Sequence, residues 1–199
     1  NSRDMKRFLF FIFATMLAGQ VWAVDSFTVG NIRYTVIDAE KQYVSVHWGS
    51  SSYSINPPKP TGAIDIPSEI TYYGTTYTIT SIEWAAFISC TDITSVTIPN
   101  TVMDIGSSAF SGCSKLKSVT IGDGVKNIGS LAFYDCSSLA SISIPNSVDS
   151  IGSYAFEKCS RLESATISNS VKSIETGLFR NCKNLTSINI PNSVTNIGS

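Results

Sequence analysis

The sequence predicts a parallel solenoid, mainly parallel β-structure with short helical turns, preceded by an N-terminal antiparallel β cap. Three observations predict it. Cys90, Cys113, Cys136, Cys159 and Cys182 recur every 23 residues without exception, and a fixed period between 20 and 50 residues marks stacked supersecondary units. Phe87, Phe110, Phe133, Phe156 and Phe179 keep the same step, as do Ile82, Ile105, Ile128, Ile151, Ile174 and Ile197. Before residue 79 the period is absent, and β-branched and aromatic residues crowd into short runs instead.

The elements follow in order. In residues 1–23, Lys6 and Arg7 precede an apolar run from Phe8 to Ala18, which leads to Val21-Trp22-Ala23. A membrane-spanning helix needs about 20 apolar residues. This run is shorter and ends near small residues, the layout of a secretory signal peptide. Residues Asn1 to Asp4 lie upstream of Met5 and carry no structural meaning here. Cleavage would take Arg3, Asp4, Lys6 and Arg7 away, shifting the net charge from -1 to -3. No membrane span is expected after signal removal.

Residues 24–78 form the cap. Phe27 to Ile37 and Gln42 to Trp48 are strand-like, with Gly30-Asn31 and Asp38 to Lys41 as turns. Residues 50–60, with three prolines, are expected as a loop. Ile64-Asp65-Ile66-Pro67-Ser68 resembles the repeat's own strand and turn, and Tyr72 to Tyr77 inserts a hairpin. Residues 79–199 hold five 23-residue repeats and a partial last coil.

Each repeat position has a physical reading. In Leu116-Lys117-Ser118-Val119-Thr120-Ile121, Val119 and Ile121 alternate as on a half-buried strand. Pro99, Pro145 and Pro191, each followed by Asn, end the strand and start a turn. Gly122-Asp123-Gly124 and Ser168-Asn169-Ser170 take that place in two coils. Val125 and Ile128 point inward from a second extended piece. Ser107, Ser130, Ser153 and Thr176 suit the cap of a helical turn. Ala109, Phe110 and Cys113 share one face of such a turn. A single coil cannot bury its apolar side alone, whereas stacked coils form ladders of Leu, Val, Ile, Phe and Cys.

The consensus I-G-S-x-A-F-x-x-C-x-x-L-x-S-h-x-I-P-N-S-V-x-x, with h apolar, resembles leucine-rich repeats of the BspA-like subclass over residues 79–199. Departures are Glu83 and Glu175 in place of Gly, and Trp84 in place of the capping Ser. The resemblance implies a leucine-rich repeat solenoid that is secreted or displayed on the cell surface. It implies an adhesin-like binding protein whose partners are extracellular proteins or cell surfaces, host matrix or other microbes. Two other functions are compatible: a structural stalk of a longer surface protein, or an accessory glycan-binding protein. The chain stops at Ile197-Gly198-Ser199, partway through the consensus, which suggests a fragment of a longer repeat protein.

Several chemistries are disfavoured by composition. Charged residues make up 15% of the chain and the net charge is -1, against the basic clusters a nucleic-acid groove needs. His47 is the single histidine, set among apolar neighbours with no nucleophile elbow nearby. No catalytic constellation, cofactor site or metal site is expected, and the protein reads as a non-enzyme. The five cysteines, equivalent in successive coils, read as a buried thiol ladder rather than disulfides. Outward strand positions form polar columns, Ser95 to Ser187 and Thr97 to Asn189. The column Met103, Lys126, Asp149, Lys172, Thr195 alternates in sign and predicts ion pairs between coils. The turn segments vary most. There Tyr134, Tyr154 and Arg180 are the candidate binding residues, because Tyr and Arg are enriched at binding hot spots.

Overall fold

The structure is a computed structural model that describes residues 26–29, 32–47 and 59–198. The signal-peptide segment, the Gly30-Asn31 turn and most of the 50–60 loop lie outside the described residues. Among the described residues, no helix is long and apolar enough to cross a membrane.

Strands β1 (Ser26–Val29), β2 (Ile32–Asp38) and β3 (Tyr43–His47) form an antiparallel meander. Next come β4 (Gly62–Asp65) and a hairpin of β5 (Glu69–Tyr72) and β6 (Thr75–Ile82). Each later coil gives one longer and one two-residue strand. These are β7 (Ile93–Thr97) and β8 (Asp104–Ile105), β9 (Ser118–Thr120) and β10 (Asn127–Ile128), and β11 (Ser141–Ser143) and β12 (Ser150–Ile151). The last are β13 (Ser164–Thr166) and β14 (Ser173–Ile174), then β15 (Ser187–Asn189) and β16 (Asn196–Ile197).

The cap is fused to the stack through its sheet. β3 runs parallel to β6, pairing Val46 with Ile82, and β6 runs parallel to β8, pairing Ile82 with Ile105. The meander therefore continues without interruption through β8 and β10 to β12. On the other side of the coil β4 pairs with β7, Ile64 against Val96. Ile64 thus occupies a repeat strand position, and the β5–β6 hairpin lengthens that first coil beyond the 23-residue period. Phe27, packed on Tyr34 and Tyr72 at ring separations of 5.4 and 4.4 Å, closes the cap's interior.

The third side of each coil corrects the expectation of helical turns. Residues 83–90 form three overlapping four-residue turns: Ala86 N–H bonds Glu83 C=O, Ile88 N–H bonds Ala85 C=O, and Cys90 N–H bonds Phe87 C=O. Ala85 and Ser89 have φ of 53° and 55°, as the third residue of a type II turn requires. Every later coil repeats this, with positive φ at Ser108 and Gly112, Leu131 and Asp135, Tyr154 and Lys158, and Gly177 and Asn181. The physical reason is the destination of the alternate N–H groups. Those of Ala85, Phe87 and Ser89 bond the carbonyls of Ser107, Ala109 and Ser111 in the next coil, at 2.6–2.9 Å. An α-helix would keep these donors to itself. Consequently Ser107, Ser130, Ser153 and Thr176 do not cap helices; their carbonyls accept from the coil before.

The core is a set of vertical files. Phe87, Phe110, Phe133, Phe156 and Phe179 stack with centroid separations of 5.1, 5.3, 5.3 and 5.6 Å and interplanar angles of 12° or less. Adjacent files of Ala, Cys and Leu are fully buried in the middle coils, as at Ala132, Cys136 and Leu139. The file loosens at the last coil, where Phe179, Cys182 and Leu185 are only partly buried.

Candidate functional site

The consensus glycine after Ile exists because coils touch there. A Cβ on Gly129 would lie 2.4 Å from the Ser107 nitrogen, and one on Gly152 2.4 Å from the Ser130 nitrogen. Glu83 is tolerated because its side chain accepts a hydrogen bond from buried Ser45 in the cap. Glu175 has no such outlet among the described residues. The ladder of two-residue strands breaks at that junction, so that β14 pairs only with β16. Gly106, Gly129, Gly152 and Gly198 each donate to the Ile of the coil before, at 2.7–2.8 Å. The corresponding bond from Glu175 to Ile151 is absent among the described residues.

The candidate binding residues lie on the turn side of successive coils, each engaged with a neighbour coil. Lys158 Nζ donates to the Tyr134 hydroxyl and sits 4.8 Å from its ring centroid. That bond holds the Lys158 pKa above its ordinary value. Tyr154 lies over Gly177, where a Cβ would come 2.4 Å from its ring carbons. Arg180 is 3.9 Å from the Glu157 carboxylate, which also accepts from Asn181. Tyr134 and Tyr154 remain half-buried and Arg180 exposed, so the three present an amphipathic shoulder on consecutive coils.

The thiols are structural in geometry. Sγ of Cys113, Cys136, Cys159 and Cys182 each donates to the Phe carbonyl one coil earlier, at 3.1–3.3 Å. All five cysteines are free. Burial pushes the Cys90 thiol up to about 11 and the Cys113 thiol up to about 12. Burial also raises the Cys136 thiol well above its ordinary value. Such thiols stay protonated and inert at neutral pH.

The expected ion pairs along Lys126, Asp149 and Lys172 do not form among the described residues. Ion pairs between coils fall elsewhere, Lys115 with Asp92 at 2.6 Å and Arg180 with Glu157. The column is instead stitched through its backbone, Lys126 N–H to Met103 C=O and Asp149 N–H to Lys126 C=O, both 2.8 Å. Short strands set those residues by backbone pairing, leaving the long side chains in water, where pairing gains little.

The strand side carries a feature that sequence reasoning missed. An open groove of about 810 Å³ lies where the longer strands meet the following turns, lined by coils from Val119 to Asn189. Its cause is Gly122-Asp123-Gly124. A Cβ on Gly124 would lie 1.8 Å from the Asn100 carbonyl oxygen, and one on Gly122 2.6 Å from the Pro99 carbonyl carbon. Lacking side chains there, this turn settles onto the coil before it. Pro145 and Ser147 stand at the equivalent places of the next coil. The longer-strand ladder breaks between β9 and β11 at this junction. The only sequence signal is the replacement of Pro-Asn-Ser by Gly-Asp-Gly.

Comparison with known proteins agrees with this architecture. A family model described as BspA type leucine rich repeat region matches in six copies over residues 80–199. Among solved structures, the chain is similar to the leucine-rich repeat protein TpLRR of T. pallidum. Identity is 28%, coverage is 84% of this chain and 83% of that one, and the TM-score is 0.61. It is also similar to a leucine-rich repeat protein from Bacteroides ovatus, at 27% identity over 87% of this chain and 55% of that one, TM-score 0.55. A third, from Bacteroides capillosus, gives 25% identity over 71% of this chain and 96% of that one, TM-score 0.56. No curated protein sequence matches. With six tandem copies covering more than half its length, and a solenoid of stacked coils, the chain belongs to the BspA-type leucine-rich repeat family.

Proposed function

We propose that the protein is an exported, adhesin-like binding protein that is secreted or held at the cell surface and whose partners are extracellular proteins or cell surfaces. The observation that carries this reading is the turn-side shoulder. Tyr134, Tyr154 and Arg180 stand on three consecutive coils, the tyrosines against Lys158 and Gly177 of the coil after and Arg180 against Glu157 of the coil before. Aromatic and Arg side chains ordered before contact lose little entropy on binding. A rigid stack repeats modest contacts at fixed spacing, and their affinities multiply when several engage together. The basic end and apolar run of residues 6–18 support export.

The test is surface binding of the chain from residue 24 onward to immobilised fibronectin, fibrinogen and epithelial cells. Saturable binding to at least one surface is expected. The Tyr134→Ala/Tyr154→Ala/Arg180→Ala variant is expected to bind at least tenfold more weakly while keeping its circular dichroism. Absence of binding to all three surfaces would count against the adhesin reading and favour a stalk.

A further inference from the structure

We propose that the groove between the second and third coils of the repeat is a saccharide site, separate from the turn-side shoulder. It lies at the corner between the two strand ladders, whereas Tyr134, Tyr154 and Arg180 lie on the third side of the coil. What distinguishes it is a broken strand ladder with a buried, unpartnered hydroxyl, Ser147 Oγ, beside hydrogen-bonding groups left over by the stacking. At the first coil's junction, Asp123 N–H bonds Asn100 Oδ1 at 2.9 Å, and Ile98 N–H bonds Thr120 C=O at 2.9 Å. At the junction of the third and fourth coils, Asn169 N–H bonds Asn146 Oδ1 at 3.0 Å, and Ile144 N–H bonds Thr166 C=O at 3.0 Å. At the junction that holds the groove, Asn146 N–H does not reach Asp123 and Ile121 N–H does not reach Ser143 C=O. The equivalent bonds from Asn192 and Ile167 are also missing at the last junction among the described residues, but there the longer strands stay paired, whereas here the ladder itself is broken. Ser147 Oγ is buried there without a partner, although its equivalents Ser170 and Ser193 bond carbonyls at 2.7 Å.

The gap thus holds two backbone donors (Ile121 and Asn146), an exposed carboxylate (Asp123), a carbonyl (Ser143) and a hydroxyl (Ser147), with Ile121, Ile144 and Pro145 as apolar lining. A ligand that fits must both donate and accept at close intervals, since donors and acceptors alternate across the gap. It must also present an apolar edge to the aliphatic lining and carry no net negative charge beside Asp123. Vicinal hydroxyls on a pyranose ring meet all three conditions, each O–H being one donor and an acceptor. The lining has no Trp, Tyr or Arg, so a sugar here would be held by hydrogen bonds and aliphatic contact rather than by stacking on a ring.

The experiment is an amide NMR titration of the folded chain with neutral tetrasaccharides of the gluco-, manno- and N-acetylglucosamine series, with calcium chloride alone as a separate arm. At least one tetrasaccharide is expected to shift the Ile121, Asp123, Asn146 and Ser147 amides saturably. Asp123→Asn and Ser143→Arg are each expected to lower that affinity at least tenfold with the remaining amide spectrum unchanged. The Tyr134→Ala/Tyr154→Ala/Arg180→Ala variant is expected to bind sugar as the parent does, so failure of the shoulder and failure of the groove register separately. The proposal is overturned if no tetrasaccharide shifts those amides, if calcium alone shifts them and sugar does not, or if both groove variants bind sugar unchanged.

Discussion

Phe133 sits between two parallel rings at 5.3 Å on either side and is fully buried. Its truncation removes contacts from three coils together. Phe133→Ala is expected to lower stability by about 3–5 kcal/mol, the range for a buried ring with a residual cavity, as read from urea unfolding. Phe179→Ala, at the loosened end of the file, is expected to cost less. The thiols give a pH signature. Burial holds the folded pKa values of Cys90 and Cys113 above the ordinary 9, at about 11 and about 12. The folded state therefore holds protons that the unfolded chain releases first. The stabilisation is complete below pH 9 and is lost as pH rises towards 11–12. Urea midpoints measured from pH 7 to 11 are expected to be level at first and then fall. The fall is expected to be shallower in Cys113→Ser, whose hydroxyl does not titrate in that window.

At the level of the element, the two-residue strands show how one side chain interrupts a ladder. Glu175 stands where Gly106, Gly129 and Gly152 let backbone meet backbone, and β12 fails to pair with β14 there. Glu175→Gly is expected to restore the bond to Ile151 and raise stability by about 0.5–1.5 kcal/mol, the net worth of one backbone hydrogen bond, offset in part by the freedom a glycine adds to the unfolded chain. An unchanged or lower urea midpoint would show that the Glu side chain is not what separates these coils. The turn side was only half legible. The spacing of Ala109, Phe110 and Cys113 requires a shared buried face, and all three are buried. That spacing fits a helical turn and a run of β-turns equally well. What decides between them is whether alternate N–H groups bond within the coil or to the next one, and that depends on a neighbour 23 residues away.

Across the whole molecule, the period of Cys, Phe and Ile made the solenoid legible, because identical side chains at equal intervals can share a core only by stacking. The strand position of Ile64 was legible for the same reason. The fusion of the meander to the stack was not, since nothing in Tyr43 to His47 reveals that its partner is the parallel strand Thr75–Ile82. The groove was hidden more deeply. Gly122-Asp123-Gly124 is a turn in any reading, and its effect comes from contact with Asn100 in one coil and the gap it leaves before the next. A regular repeat thus specifies the scaffold, while its irregular positions decide where the scaffold opens.

The bonds between turn segments all run one way. From Ala85 to Ser107 at the first junction through Lys158 to Arg180 at the fourth, the donor is in the earlier coil and the acceptor in the later one. Peptide dipoles in that wall add along the axis, as they do in a helix, so the column is electrically polar from rim to rim. One rim offers hydrogens and the other lone pairs. A further rung can therefore mate only in the same sense as those beneath it, whereas an inverted rung would set N–H against N–H.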